Sequence, residues 1–396
     1  MMADFLYRLN SVDTRVLTPV VRQALRDDEA QVLNWNTLTL PGGMAQEHGA
    51  SLGLYRFQGK ALSHAQERPW SIILKVLAAA VTATSPIAST DPSSCFYWKR
   101  EVMVYQSGLL SDLPGGLYAP RCFGITEHAG EEYWIWLEDV TDRTWSRADS
   151  GLAAHRLGQF NGAYLCGRPM PQAGWLAKEP VRTWLELGST GILDIEHLRR
   201  HPVNQRWLDD ETVARVQRLW AQQERLLTAL AGLPCTFCHN DAYRDNLMLR
   251  EAEDGNTELV AVDWASPGID CVGAEMAAMV GNAATMYAIP AAEMKDFEAA
   301  AMSSYLAGLR DAGWHGAPQQ VRFGFAASAA LHQGLGLAGL LLILFTNAEE
   351  IAIHERFFGR PIEDLLAQRV GYQRYLLDLG DEALSFLDEQ AAVNGR

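Results

Sequence analysis

From Phe325 to Phe345 the chain reads FAASAALHQGLGLAGLLLILF, a run without a charged residue that is apolar on every face of a helix. Such a helix is stable only inside a bilayer or wrapped on all sides by protein. His332 and Gln333 sit in its middle, and no basic cluster flanks it to orient an insertion. The glycines at 334, 336 and 339 suit close approach of a second helix. The reading is therefore a buried core helix of a large helical lobe, with no membrane span. A chain of 396 residues is long enough to supply that lobe and a second, smaller one.

Hydrophobic residues make up 48% and charged residues 20% of the chain, an ordinary balance for a globular protein. The formal net charge of −15 and the lack of a Lys/Arg cluster argue against a nucleic-acid partner. Six cysteines in this length do not make a disulfide framework. The N-terminal MMADFLYRLNSVDTRV has no long apolar run and no cleavage signature, which predicts a cytoplasmic protein with reduced thiols.

The first ~35 residues read as helical, with Val16, Val20, Val21 and Leu25 on one face. Between Leu33 and Leu77 the runs NTLTL, LGLYRF and WSIILKVL alternate with glycine-rich turns, the pattern of an antiparallel sheet. A Ser/Thr/Pro-rich loop from Thr82 to Ser94 leads into a helix, FYWKREVMVYQSGLL, and then two more strands, APRCFGITEH and EEYWIWLEDV. After about Asp142 the chain turns mostly helical, with apolar stripes over Leu152–Leu165 and Thr212–Leu230. An irregular section interrupts it, with two apolar runs around the turn Glu253-Asp-Gly-Asn256, a hairpin signal. The prediction is an α+β, bilobal fold: a small antiparallel-sheet lobe with one packed helix, then a larger, mainly helical lobe.

The chemistry concentrates in His239-Asn-Asp241-Ala-Tyr243-Arg-Asp245-Asn246 and in Asp263, which follows the strand-like LVAV and precedes Trp264. Phosphoryl transfer needs a carboxylate beside an acceptor hydroxyl, together with an amide oxygen and a second carboxylate to hold a metal against phosphates. Asp241, Asn246 and Asp263 supply that set in the required order. Solvated loop residues could match one short pattern, but the ordered strands and helix before them make a chance match the weaker reading. The overlapping Cys235-Thr-Phe-Cys238-His239 also fits a c-type haem attachment site, which requires export; a buried strand end is the simpler reading. No second Cys/His pair lies at zinc-ligand spacing.

The pattern HxDxxxxN followed by Asp-Trp resembles the aminoglycoside phosphotransferase family, small-molecule relatives of protein kinases. DWASPGIDCVGAEMAAMV resembles that family's stretch after the metal-binding aspartate, with Glu275 opening a helix. The resemblance spans about residues 35–345, although its specific motifs occupy two short stretches. It implies a protein-kinase-like fold with a helical extension over 1–34, a nucleotide-binding lobe over 35–140, and a catalytic, acceptor-binding lobe over 141–390.

The resemblance further implies His239 and Asp241 as catalytic residues and Asn246 and Asp263 as magnesium ligands. Lys75 would grip the ATP phosphates, paired with Glu101, and Asp263 would meet them from the other lobe. Gly49 and Gly53 would cover the phosphates, with Pro41-Gly-Gly43 as a competing turn. Glu138, in WLED, would lie at the hinge where backbone groups meet adenine. The inter-lobe cleft would be the main pocket, and an insert near Arg168–Asp210, with Trp175, Trp184 and Trp207, would shape it. Asn240 stands where protein kinases carry arginine, Trp264 replaces Phe-Gly, and the long activation segment is missing. These departures fit a small-molecule hydroxyl acceptor, such as an antibiotic, a sugar or an amino alcohol. The alternative is an inactive nucleotide-binding module on the same fold.

Overall fold

The computed structural model describes residues 7–41, 51–83, 85, 87–252 and 255–394. Helix α1 (Thr14–Leu25) is capped by Asp13, which accepts from the backbone of Arg15 and Val16. It stops at Arg26, which takes the left-handed conformation (φ 52°). Strand β1 (Gln31–Leu40) therefore begins inside the segment expected to be helical. Neither signal is readable locally: the helix ends on an arginine where glycine is usual, and β1 is an exposed edge strand without alternating burial.

Strands β2 (Ser51–Ser63) and β3 (Gln66–Ala78) form a long hairpin. Its two-residue turn, His64-Ala65, has both φ values positive (49° and 61°), the geometry ordinarily assigned to Asn-Gly. Helix α2 (Arg100–Ser107) is shorter than expected and ends at Gly108, left-handed at φ 75°. Strands β4 (Leu117–Tyr118), β5 (Cys122–His128) and β6 (Glu132–Glu138) follow. The antiparallel sheet has the order β1-β2-β3-β6-β5.

The two faces of this sheet have different covers. Trp70, Ile72, Leu74 and Val76 of β3 share a cluster with Leu17, Val20 and Val21 of α1. Ile73 and Leu77 face the other way, packing with Val102 of α2. Strand alternation puts Lys75 on the α2 side as well, which aims it at Glu101.

The larger lobe holds α3 (Arg147–Leu165) and α4 (Pro180–Leu193). The predicted helix over Thr212–Leu230 is two helices, α5 (Asp210–Ala221) and α6 (Gln223–Ala231), broken at Gln222. Strands β7 (Cys235–Cys238) and β10 (Gly268–Cys271) pair antiparallel and bracket β8 (Leu247–Glu251) and β9 (Thr257–Ala261). β8 and β9 pair antiparallel as the Gly-Asn turn suggested, although residues 253 and 254 lie outside the described set. Helix α7 runs through Ala274–Met276, a π-helical turn at Ala277–Gly281 and Asn282–Thr285.

The apolar helix, α8, runs from Pro318 to Leu344 with a π-helical stretch at Ala330–Leu337, and 72% of its most apolar window is buried in protein. Its jacket includes α4, held at glycine distance. A Cβ on Gly188 would sit 2.0 Å from the Gly336 carbonyl oxygen, and one on Gly191 1.9 Å from that of Gly339. Gly188→Ala should therefore cost about 1–3 kcal/mol through forced helix separation. Gly174, whose Cβ would meet open space, should tolerate alanine within about 0.5 kcal/mol. Denaturant melts of both variants check the pair.

Candidate active site

Lys75 Nζ lies 2.6 Å from Glu101 Oε2 and 2.8 Å from Asp263 Oδ1, so it joins a helix of the small lobe to a loop of the large one. Burial alone would drive the ammonium neutral, but the two carboxylates raise its pKa and keep it charged. Burial likewise works against the ionised form of Asp263, yet Lys75 holds that carboxyl below its usual range. Asp263 has φ 59°, an uncommon conformation for a residue with a Cβ. Next to it Trp264 is buried, its indole N–H donating to Ala261 O at 2.8 Å.

Asp241 faces the same space from the turn after β7. Its Oδ2 accepts from Asn246 Nδ2 and its Oδ1 from Asn282 Nδ2, both at 2.8 Å. The Asn246 amide also reaches the Asp241 carbonyl at 2.9 Å, turning its own oxygen away from Asp241. Burial and the nearby Asp263 push the Asp241 carboxyl well above the ordinary carboxylate range, against the pull of Asn246 and Lys75.

The turn itself is held from below. Glu275, fully buried, accepts from the backbone N–H of His239 at 2.8 Å and of Asn240 at 3.2 Å. Those contacts support Asn240 in a left-handed conformation (φ 64°). His239 is fully buried, with Nε2 3.0 Å from the Val262 carbonyl and Nδ1 3.3 Å from the Asp241 backbone nitrogen. A carbonyl only accepts, so the proton is on Nε2 and Nδ1 accepts from Asp241 N–H. Both ring nitrogens are thus committed to backbone, which fits His239 as a positioning residue and not as a group that touches substrate.

Arg100 was not anticipated. Its buried guanidinium donates to the carbonyls of Trp175 (2.6 Å), Cys95 (2.8 Å) and Ala265 (3.1 Å), and to that of Ser94. It thereby ties the loop before α2 to the segment after Asp263. Asn282 and Gln333 were not anticipated either, although a polar residue inside an apolar helix signals a required partner. Gln333 Nε2 donates to Asn282 Oδ1 at 3.0 Å, behind Asp241.

Other expectations fall differently. Gly49, Gly42 and Gly43 lie outside the described residues. Gly53 sits in a register shift at the start of β2, beside Leu54, which pairs with Lys75. The Glu138 carboxylate is engaged by Arg250 at 2.9 Å and by the Arg121 backbone at 3.1 Å, clasping β6 to β8. Cys238 is buried at the end of β7, as a strand residue. A cavity of about 410 Å³ lies between α1 and β5/β6, lined by Val12, Val16, Val20, Phe123, Trp134 and Trp136, on the face of the sheet opposite Lys75.

These features define a kinase-like bilobal fold with a lysine–carboxylate bridge over an Asp–Asn loop. Residues 102–313, more than half of the chain, match the phosphotransferase enzyme family (APH), and the chain belongs to that family. Among solved structures, amicoumacin kinase hAmiN is 15% identical, covering 91% of this chain and 96% of its own, with a TM-score of 0.48. Choline kinase from Cryptosporidium parvum Iowa II is 14% identical, with coverage of 96% and 97% and a TM-score of 0.48. Spectinomycin phosphotransferase APH(9)-Ia is 11% identical, with coverage of 91% and 99% and a TM-score of 0.46. No curated protein matches the chain.

Burial lowers the His239 imidazole from 6.5 to about 4, so the folded protein binds fewer protons there than the unfolded chain. Its contribution to stability is present above the unfolded value and is lost as pH falls from about 6.5 toward 4, at roughly 1.4 kcal/mol per pH unit. Urea unfolding across that window should give a shallower slope for His239→Gln than for the wild-type chain.

Proposed function

We propose that this chain transfers the γ-phosphoryl group of ATP to a hydroxyl of a small molecule. The observation that carries this reading is the convergence on one cleft of Lys75, bridged to Glu101 and Asp263, with Asp241 fixed by Asn246 and Asn282.

In this reading Lys75 holds the α- and β-phosphates, and Glu101 keeps it aimed and charged. Asp241 accepts the acceptor's O–H and takes its proton as that oxygen bonds to the γ-phosphorus and the bond to the ADP oxygen breaks. Its raised pKa makes it a better base than an ordinary carboxylate, and its two amide donors fix its direction. Asn246 and Asp263 offer an amide oxygen and a carboxylate, the hard donors that magnesium prefers. Magnesium bound there would neutralise charge on the transferring phosphoryl group.

Asp241→Asn should lower kcat by about 10²–10⁴-fold while magnesium–ATP affinity survives. In the wild-type chain kcat/KM should fall on the acid side at a pH above the ordinary carboxylate range, because Asp241 must be ionised to act. Coupled ADP-release assays across pH, with an acceptor found by screening, check both; wild-type turnover in the variant would exclude Asp241 as the base.

Asp263→Ala should weaken magnesium-dependent nucleotide binding more than Asn246→Ala, since it removes a full charge from the ion and from Lys75. Calorimetry with ATP over a magnesium titration measures this. Equal, magnesium-independent affinities in the two variants and wild type would exclude the metal assignment.

A further inference from the structure

The C-terminal helix (Ile362–Asn394) buries a guanidinium whose charge no described residue balances. Arg369 is 0% exposed, and in a chain with 48 acidic residues none of those described pairs with it. It makes one hydrogen bond, from Nη2 to Gln373 Oε1 at 3.3 Å, and its Nε–H is buried without a partner. Arg100, the other fully buried arginine among the described residues, is the contrast. Its N–H groups go to the carbonyls of Pro92, Ser94, Cys95, Trp175 and Ala265, so it needs no anion. A guanidinium stays protonated when buried, so Arg369 carries a full charge with most of its donors unused. Unanswered charge and N–H groups are among the most costly features of a protein interior.

The surroundings show what would answer them. Arg369 lies over the Trp207 ring, with Cζ 5.3 Å from the centroid, which closes that side. Tyr287 is near enough that it and Arg369 each shift the other's ionisation, and its hydroxyl makes no hydrogen bond among the described residues. The Tyr287 ring is fixed edge-on against Phe358 and Tyr372, with centroids 4.9 and 5.5 Å away. Following α7, Tyr287 takes the left-handed conformation (φ 55°) where glycine is usual, so its side chain stands there against a backbone cost. Arg360, whose charge also reaches Tyr287, has a neutral partner in place of a carboxylate. The Tyr372 hydroxyl donates to Ile289 O at 2.6 Å, so the Gln368 amide nitrogen donates to that hydroxyl and its oxygen faces Arg360 at 2.9 Å.

We propose that Arg369 and Tyr287 form a binding site for a small free oxyanion of the inorganic phosphate type. Two anionic oxygens match the planar edge of the guanidinium, beginning with its unpartnered Nε–H, and the Tyr287 O–H donates to a third. Arg360 adds positive potential beside the site. The full burial of Arg369 leaves little room for an organic substituent, which favours the free ion over a phosphorylated metabolite. This site uses none of the groups assigned above to nucleotide or acceptor and stands independently of the phosphotransfer reading. Gln373, which accepts from Arg369, donates to Gly334 O at 2.9 Å, beside the Gln333 amide that contacts Asn282. The anion would therefore bear on the turn of α8 behind Asp241.

The test uses the full chain in Tris buffer with sodium chloride, into which sodium phosphate is exchanged at constant ionic strength. Phosphate at ten times its dissociation constant, measured by calorimetry, should raise the wild-type Tm by about 2 °C over chloride. Arg369→Met should abolish that response. Tyr287→Phe keeps the ring packing and should bind phosphate about tenfold more weakly, which decides the matter even where Arg369→Met fails to fold. Glycerol 3-phosphate should give a smaller rise than inorganic phosphate. A wild-type chain that responds no more to phosphate than to chloride overturns the site, as does a response left unchanged in either variant. A larger rise with glycerol 3-phosphate overturns the assignment to the free ion.

Discussion

One ammonium group between two carboxylates governs how the two lobes meet. Lys75 is contributed by the sheet, Glu101 by the helix packed on it and Asp263 by the opposite lobe, with separations of 2.6 and 2.8 Å. Desolvation makes such a buried triad a modest contributor to net stability, yet removing any member strands a charge in a low-dielectric site. The arrangement therefore specifies geometry more than it adds stability. Sheet, helix and loop are each placed by apolar packing, and the triad fixes where they face one another. Arg100 reinforces that contact without any carboxylate, because its donors are spent on backbone carbonyls from three segments.

The loop carrying Asp241 has a complementary design. Two residues with side chains, Asn240 and Asp263, hold left-handed backbone conformations at φ 64° and 59°. Each is energetically unfavourable by itself, and each is sustained by specific bonds: Glu275 to the backbone of His239 and Asn240, and Lys75 to Asp263. A buried carboxylate beneath the turn and a buried imidazole within it replace the water that an exposed loop would use. The cleft-facing oxygens of Asp241 are then oriented by the amides of Asn246 and Asn282. Charge, strain and burial here all bear on one carboxylate.

Behind the loop, the widened turns of α7 and α8 lie side by side. π-Helical segments at Ala277–Gly281 and Ala330–Leu337 place Gly281 against Gln333 and bring the Gln333 amide onto Asn282. Such turns are frequent at functional sites. On its other side α8 meets α4 through glycine pairs, which sets the insert that carries Trp184 directly over His332. One buried helix thus supports both the carboxylate and the surface beside it.

Much of this is legible in the residues themselves. Glycine-bounded β-runs, the alternation that turns Lys75 away from Ile72 and Leu74, and the charge-free run at Phe325–Phe345 are local patterns, and local patterns specify strands, a buried helix and a bilobal order. The spacing of Asp241, Asn246 and Asp263 likewise follows from what phosphate chemistry needs in sequence order. The start of β1, the His-Ala turn of the hairpin and the break at Gln222 were not legible, because each depends on a conformation that its residues do not ordinarily favour. Tertiary structure alone decided that His239 would spend both nitrogens on backbone, that Glu138 would clasp Arg250, and that Arg100, Asn282 and Gln333 would matter. A side chain's chemistry is written in its identity, but the partner that consumes its hydrogen bonds or balances its charge arrives from a distant segment, and only packing brings that segment near.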